Sequence, residues 1–228
     1  MARPRSLRDW FGAGNRPDVV PRAERAYIHF QYRELAECVV PMGEVVYRPF
    51  NLDPTERFCL AALAVTRGVK SIFEFGTYDG ATTLLLARSV PDARIFTLDL
   101  PEDQVGEVDA VAEQQLAVAG GLGSKFRLEG TNGQITQLVG DSRLYDFTPY
   151  LGAVDLVLVD GGHSYECIRS DSENALRMLA PGGLVVWDDY TDSWPAVVRA
   201  VDDVATASRI RVMALFPTEF AVYDSALS

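Results

Sequence analysis

The segment EFGTYDG, residues 74–80, does most to indicate the fold of this chain. It overlaps a short apolar run, SIFEFG at residues 71–76, which is typical of a buried strand, and residues 80–89 have the pattern of a helix. Gly76 permits a tight turn and the close approach of a ligand, and Gly80 stands where free helix N–H groups can face an anion. The segment therefore predicts a nucleotide-like cofactor site, and a tight turn without a ligand is the alternative.

Strand and helix patterns alternate around this segment. Further strands are predicted over residues 94–99, 135–139, 154–159, 183–187, 209–215 and 219–223, and further helices over residues 56–67, 105–119, 164–179 and 195–206. Residues 120–134 contain five glycines and are predicted to be a loop with at most a short strand. Alternation predicts a mainly parallel sheet with helices on both faces. The last two strands are joined by a turn around Pro217 that is too short for a crossover, so they must be antiparallel to each other.

Residues 1–55 lack this rhythm because prolines divide them into short pieces. Residues 22–38 have apolar residues at roughly helical spacing, which predicts one helix there. We therefore predict a mostly helical N-terminal extension over residues 1–55 and one domain over residues 56–228. The extension could form a lid or an oligomer contact.

The chain has 228 residues and a net charge of −11, which is unevenly spread. Residues 1–33 hold seven arginines and three acids, a net of +4, so the remainder carries −11 − 4 = −15. An acidic chain of this kind is disfavoured as a nucleic-acid or anionic-membrane binder. The basic segment is either a solvated arm or a contact for a partner, and a homodimer is predicted in which it packs on an acidic neighbour.

No apolar run approaches the ~18 residues of a membrane span, and the basic start lacks the apolar core of a secretory signal. The three cysteines, Cys38, Cys59 and Cys167, are odd in number and widely spaced, which favours reduced thiols. The sequence therefore predicts a cytoplasmic protein.

In parallel sheets ligands bind beyond the carboxyl ends of the strands, so the residues after each strand are informative. Asp99 lies 23 residues after Gly76, a spacing typical of an acid that accepts hydrogen bonds from ribose, with a helix cap as the alternative. Asp141 and Ser142 follow the next strand and predict an adenine contact or, equally, a helix cap. The bulky Tyr78 would crowd a pyrophosphate, which disfavours a nicotinamide-dependent oxidoreductase.

Three acids follow two strands that should be neighbours: Asp160, Asp188 and Asp189. Carboxylates held together repel one another unless a cation lies among them or some are protonated. Oxygen ligands select Mg²⁺, Mn²⁺ or Ca²⁺. The cluster predicts a divalent cation site, and the alternative is that the acids cap a helix or bind an organic group.

His163 lies three residues after Asp160, in a loop beside the acids. Imidazole exchanges protons near neutral pH, so His163 is a candidate general base. His29, among aromatic residues of the extension, is predicted to be structural. Four aromatic residues near the same rim could wall an acceptor pocket or simply pack in the core: Tyr78, Trp187, Tyr190 and Trp194.

Taken together, roughly residues 56–225 resemble class I S-adenosylmethionine-dependent methyltransferases. EFGTYDG resembles their first motif, and its central tyrosine is typical of the catechol O-methyltransferase branch. The three acids resemble the metal triad of that branch and of macrolide-sugar O-methyltransferases. The stretches ITQLVGDS, VDLVLVDGGHSYE and LAPGGLVVWDDY resemble a group of small bacterial methyltransferases. The resemblance implies an α/β fold with a Rossmann-like, doubly wound, mainly parallel seven-stranded sheet and one antiparallel strand near the C-terminus.

The resemblance also implies roles for single residues. The cofactor S-adenosylmethionine would be contacted by Glu74, Gly76, Thr77, Tyr78, Asp79, Gly80, Asp99, Leu100, Asp141, Ser142 and Asp160. Within this set the residues of the glycine loop would lie against the methionine part, Asp99 would hold the ribose, and Asp141 with Ser142 would approach the adenine. Mg²⁺ would be bound by Asp160, Asp188 and Asp189, with His163 and Asp160 as the catalytic residues.

Two departures point away from a catechol substrate. His163 stands where catechol-type enzymes carry a lysine base, and Asp189 stands where they carry asparagine. Both resemble the sugar-type site. The hypothesis is that an acceptor hydroxyl of a small natural product or sugar binds Mg²⁺, loses its proton to His163 and attacks the methyl carbon.

Other functions stay open from the sequence. One is a metal-independent methyltransferase acting on nitrogen or carbon, in which the carboxylates orient the acceptor. Another is a non-catalytic cofactor-binding partner protein. Specificity for the acceptor would lie in the extension and in residues 120–134 and 189–195.

Overall fold

The computed structural model describes residues 24–27, 31–42, 51–104, 116–117, 119–129 and 133–227. Its strands are β1 (Glu24–Tyr27), β2 (Ser71–Phe75), β3 (Arg94–Asp99), β4 (Ile135–Val139), β5 (Val154–Val159), β6 (Leu179–Trp187), β7 (Met213–Phe216) and β8 (Phe220–Asp224). Its main helices are α1 (Pro54–Thr66), α2 (Ala81–Ser89), α3 (Ser124–Glu129), α4 (Tyr165–Met178) and α5 (Pro195–Ser208). Two 3₁₀ turns cover Arg33–Glu37 and Thr148–Tyr150.

The strands form one sheet in the order β1-β7-β8-β6-β5-β2-β3-β4. Strand β8 is antiparallel to β6 and β7, and every other pairing is parallel. From β2 the chain moves outward to β3 and β4 and then returns to place β5 on the other side of β2. The strand order therefore reverses between β2 and β5, where folds of this type open a ligand crevice. The predicted seven strands and the single antiparallel strand are confirmed.

Alternate residues of the central strands face opposite sides of the sheet, as strand geometry requires. Ile72 belongs to the core beneath α1 and α2, and Phe73 belongs to the core beneath α4 and α5. On the first face Leu60 and Leu86 are fully buried, and both lie on helices. Helices thus cover both faces, which leaves the carboxyl-end edge of the sheet for a site.

Helix α1 has a well-defined start. Asp53 accepts hydrogen bonds from the N–H groups of Thr55 and Glu56, while the Glu56 carboxylate accepts one from the N–H of Asp53. Pro54 follows at the first helical position, where its missing N–H costs nothing. This capping box fixes the end of α1 that lies nearest the crevice.

An eighth strand extends the sheet beyond the seven predicted. The prediction of one helix over residues 22–38 is wrong, because Glu24–Tyr27 pairs in parallel with β7 and Arg33–Glu37 forms a 3₁₀ turn. The free edge of β7 offers backbone hydrogen-bond partners, which outweigh the helical spacing of a short segment.

A second correction concerns residues 120–134, where Ser124–Glu129 is a helix rather than a loop. This hexapeptide contains neither glycine nor proline, and Phe126 is buried beside Gly80. The predicted helix over residues 105–119 lies mostly outside the described residues. Among the described residues no helix is both long and apolar enough to cross a membrane, and the three cysteines are free.

Candidate active site

The glycine loop after β2 packs tightly against the end of β5. Gly76 has φ +91°, and a Cβ atom there would lie 1.9 Å from the carbonyl oxygen of Asp160. Only glycine fits this position, because both the backbone conformation and the contact exclude a side chain. The residue before α3 stabilises the loop, because the N–H of Gly123 donates to the Tyr78 carbonyl at 2.7 Å. Tyr78 itself has φ +46°, a left-handed conformation.

Asp99 holds this loop against the end of β3. One carboxylate oxygen accepts the backbone N–H groups of Thr77 and Tyr78, each at 2.9 Å, and the other accepts that of Leu100 at 2.7 Å. Burial raises the pKa of Asp99, and the three N–H donors oppose this rise. The structure therefore gives Asp99 a definite role in shaping the loop, while its predicted contact with ribose stays a prediction.

Glu74 and Thr77 face the interior of the protein. The Glu74 carboxylate accepts a hydrogen bond from the Thr83 hydroxyl at 2.5 Å, and burial raises its pKa to about 7. The hydroxyl groups of Thr77 and Thr97 lie 2.7 Å apart. Both predicted cofactor residues thus support the loop from below.

Asp79 connects the loop to the start of α1. Its carboxylate accepts the N–H of Ala81 at 3.0 Å and a hydrogen bond from the Asn51 amide at 3.4 Å. The Asp79 carboxylate also acts on the guanidinium of Arg57, which lies on α1. Burial lowers the pKa of Arg57, and the negative charge of Asp79 opposes this decrease. Sequence reasoning missed Asn51 and Arg57, because only the folded chain brings α1 to the loop.

The three acids predicted as metal ligands converge. Asp160 follows β5, Asp188 and Asp189 follow β6, and one carboxylate oxygen from each lies within 4.8 Å of the others. The pairing of β5 with β6 makes them neighbours, and the Asp188 N–H donates to the carbonyl of Val159 at 3.1 Å. Burial raises the pKa of both Asp160 and Asp188, and the neighbouring carboxylates raise it further.

His163 lies beside this cluster. Its Nε2 atom is 2.6 Å from Oδ2 of Asp189, and its ring stacks on Trp194 with a centroid distance of 4.3 Å and an interplanar angle of 23°. Asp189 and Trp194 together fix the position of the imidazole. The site therefore holds an oriented histidine next to a cluster of carboxylates.

The other rim aromatics differ in environment. Trp187 is buried in the core and donates to the Ser172 hydroxyl at 2.8 Å, so it does not wall an open pocket. Tyr190 is partly buried and donates to Asp202 of α5 at 2.6 Å. Trp194 remains substantially exposed beside His163 and is the aromatic surface that an acceptor would meet.

The acids around the cluster include two that the sequence analysis did not single out, Glu56 and Glu219. The carboxylate of Glu56 accepts the backbone N–H of Glu219 at 3.0 Å, and burial raises its pKa, with Asp53 and Asp189 adding to the rise. Glu56 also belongs to the capping box of α1. The first turn of α1 therefore lies over the same edge of the sheet as the acidic cluster.

At the far end of the edge, Asp141 pairs with Arg143 at 2.6 Å, and this hydrogen bond lowers the pKa of Asp141. Ser142 instead bonds to the buried Asp171 of α4, whose pKa burial raises to about 6. Oδ1 of Asp171 has no hydrogen-bond partner among the described residues. Sequence reasoning missed Asp171, and the available signal was an acid within the buried stripe of α4.

Comparison with known proteins identifies the family of this chain. A family described as "Methyltransferase domain" matches residues 73–190, which span the glycine loop, His163 and all three acids of the cluster. The chain belongs to this methyltransferase family. The match confirms the class predicted from the sequence. An uncharacterized protein, R132 of Acanthamoeba polyphaga mimivirus, is 25% identical over 135 residues, 58% of this chain and 57% of that relative. The chain thus spans little more than half the length of that curated relative.

Solved structures share the fold of this chain at low identity. The S-adenosylhomocysteine-bound methyltransferase PaMTH1 of Podospora anserina has a TM-score of 0.57 at 17% identity, over 76% of this chain and 79% of that one. The O-methyltransferase TomG of Streptomyces achromogenes, in complex with S-adenosylmethionine, has a TM-score of 0.52 at 21% identity, over 89% and 91%. An O-methyltransferase from Bacillus cereus with S-adenosylhomocysteine gives 0.53 at 16% identity, over 86% and 90%. These likenesses confirm the predicted fold class.

Proposed function

We propose that this methyltransferase transfers a methyl group from S-adenosylmethionine to a hydroxyl group of a small natural product or sugar, with Mg²⁺ or a similar cation bound at the acidic cluster. The observation that carries the proposal is the convergence of Asp160, Asp188 and Asp189 beside an oriented His163. No single one of these residues would indicate the chemistry.

The cofactor assignment rests on the crevice between β2 and β5. The neighbouring strands β2, β3 and β4 end at or just before most of the predicted cofactor residues, which therefore line one edge of the sheet: Gly76–Gly80, Asp99, Leu100, Asp141 and Ser142. The Asp99 carboxylate accepts three N–H groups and can accept a further hydrogen bond, so its bonds to the loop are compatible with a ribose contact. Related folds hold S-adenosylmethionine in TomG and S-adenosylhomocysteine in PaMTH1, which supports the same cofactor here.

The residues present fit a divalent cation. Three carboxylates supply the hard oxygen donors that Mg²⁺ prefers. Burial, and then repulsion by the neighbouring carboxylates, raises the pKa of Asp160 and Asp188, and a bound cation would offset both effects. A cation at this position would lower the pKa of an acceptor hydroxyl and orient it.

His163 is proposed as the base that removes the hydroxyl proton. Asp189 engages Nε2, so Nδ1 is the ring nitrogen that accepts the proton. The carboxylate then stabilises the positive charge that forms on the ring, while stacking on Trp194 limits its rotation. Attack on the methyl carbon needs close alignment, and the exposed face of Trp194 offers a surface on which a sugar or aromatic acceptor can be aligned.

The experiment is methyl transfer from methyl-labelled S-adenosylmethionine to a panel of hydroxylated sugars and natural products. With an accepted substrate, chelation should abolish transfer and Mg²⁺ should restore it. The variant Asp188→Asn should behave like the chelated enzyme. Asp92→Asn is the matched control, because Asp92 is exposed and pairs only loosely with Lys70 at 3.5 Å. Full activity after stringent chelation would contradict the proposed metal role.

A second candidate is metal-independent methylation of nitrogen or carbon. The raised pKa of Asp160 and Asp188 favours it, because protonated carboxyl groups can donate hydrogen bonds to an acceptor without any cation. Transfer to an amine that is insensitive to chelation would support this candidate over the first.

A further inference from the structure

Arg57 is a buried cation with an unused donor. It lies on α1, its exposed fraction is 8%, and its Nε has no hydrogen-bond partner among the described residues. Among the described residues, the only other buried side-chain nitrogen or oxygen without a hydrogen-bond partner is Oδ1 of Asp171. A buried charged group with an unused donor costs free energy unless something satisfies it, so Arg57 is where a ligand group is to be sought.

The position of Arg57 is fixed by contacts on both sides of it in the sequence. Asn51, before α1, donates to the Asp79 carboxylate at 3.4 Å. Glu56, the residue before Arg57, accepts the N–H of Glu219 near the acidic cluster. Asp79 is the charged group that acts on the Arg57 guanidinium. Arg57 therefore lies where α1 meets the glycine loop, at the end of the crevice assigned to the methionine part of the cofactor.

The groups around Arg57 are mostly negative, so an anionic ligand needs a positively charged partner there. The same edge of the sheet carries the carboxylates of Glu56, Asp79 and Asp160. An α-carboxylate entering this region without a positive partner would be repelled. A guanidinium donates to a carboxylate through paired N–H groups, the strongest geometry available to a side chain.

We propose that Arg57 binds the α-carboxylate of the amino-acid part of the cofactor. This inference rests on the proposed use of S-adenosylmethionine. Arg57 is thereby a cofactor-specificity residue, which distinguishes ligands that carry the carboxylate from those that lack it.

Isothermal titration of the purified full chain tests the proposal with three ligands: S-adenosylhomocysteine, its decarboxylated analogue S-adenosyl-3-thiopropylamine, and 5′-methylthioadenosine. The wild type should bind S-adenosylhomocysteine about 10- to 100-fold more tightly than the decarboxylated analogue, as expected for charge-assisted hydrogen bonds. Arg57→Met should lose most of this difference and keep its affinity for 5′-methylthioadenosine. Arg57→Lys, which keeps the charge without the fork of donors, should retain part of it.

Arg169→Met is the matched control, because Arg169 is exposed and pairs with Glu173 on the outer face of α4. It should reproduce the wild-type preferences. Equal binding of S-adenosylhomocysteine and the decarboxylated analogue by the wild type would overturn the proposal, and this measurement does not depend on any variant folding. Equal weakening of all three ligands in Arg57→Met and Arg57→Lys would show a structural role and also overturn it. Failure of the wild type to bind any of the three would instead refute the proposed cofactor.

Discussion

The buried carboxylate of Glu74 should make the stability of the protein depend on pH. Burial raises its pKa from 4.5 to about 7, so the native state holds this proton more tightly than the unfolded state does. Between these values the unfolded chain binds fewer protons, and the free energy of unfolding falls as pH rises. Below about pH 4.5 both states are protonated and this destabilisation is absent.

Glu74→Gln should therefore flatten part of the stability profile. Glutamine keeps an oxygen that can accept from Thr83 but cannot ionise. Relative to wild type, the variant should gain about 2–3 kcal/mol between pH 4 and pH 8, measured by urea unfolding at each pH. Glu173→Gln, an exposed control on α4, should leave the profile unchanged. Parallel profiles for Glu74→Gln and wild type would contradict the burial argument.

His163 carries the proton transfer in the proposed reaction. His163→Ala should lower kcat about 10²- to 10⁴-fold with little change in cofactor affinity, because the base contributes in the transition state. Trp194→Phe keeps an aromatic ring for stacking and should lose far less. Wild-type turnover of His163→Ala at neutral pH would remove His163 from the mechanism.

At the scale of elements, α1 joins fold and site through its first turn. Asp53→Ala removes the side chain that caps the helix and should lower the free energy of unfolding by about 1 kcal/mol. Asp53→Asn keeps a capping oxygen and should cost much less. Equal losses for the two variants, measured by chemical denaturation, would show that the cap is not the source of the effect.

The elements that the sequence predicts best are those with strong local patterns. The strands at residues 94–99 and 154–159 are found at those bounds, since an apolar run between turns has few alternatives. The acidic cluster is predictable for a related reason, because adjacent parallel strands bring their following residues to one edge. By contrast β1 forms by pairing with the free edge of β7, and Arg57 comes near Asp79 only when the chain before and within α1 meets the glycine loop. Such long-range contacts leave little trace in a local pattern.

At the scale of the whole molecule, the N-terminal part is tied to the C-terminal strand. Tyr32 is buried and its hydroxyl donates to Asp224 of β8 at 3.3 Å, while Arg67 donates to the same carboxylate at 2.8 Å. Burial and the Asp224 charge raise the pKa of Tyr32, which therefore stays a neutral donor. Residues far apart in sequence thus close around one carboxylate.

Tyr32→Phe should lower the free energy of unfolding by about 1–2 kcal/mol, because Asp224 keeps Arg67 but loses a buried donor. Tyr223→Phe is the control, because Tyr223 is partly buried and lies on β8 beside Asp224. A loss in Tyr32→Phe no larger than in this control would contradict the proposed tie. The homodimer, with the basic residues 1–33 on an acidic neighbour, stays a prediction that sedimentation of the intact chain would decide.

The central claim is that Asp160, Asp188 and Asp189 bind a divalent cation, and Mn²⁺ titration followed by electron paramagnetic resonance tests it most directly. In the presence of S-adenosylhomocysteine, the wild type should bind Mn²⁺ stoichiometrically, and Mg²⁺ should displace it. Binding should strengthen as pH rises, because protons compete for the carboxylates of Asp160 and Asp188, whose pKa values are raised. Asp188→Asn should weaken binding at least about 10-fold, and Asp92→Asn should not. Mn²⁺ binding that is absent in the wild type, or unchanged in Asp188→Asn, would contradict the claim.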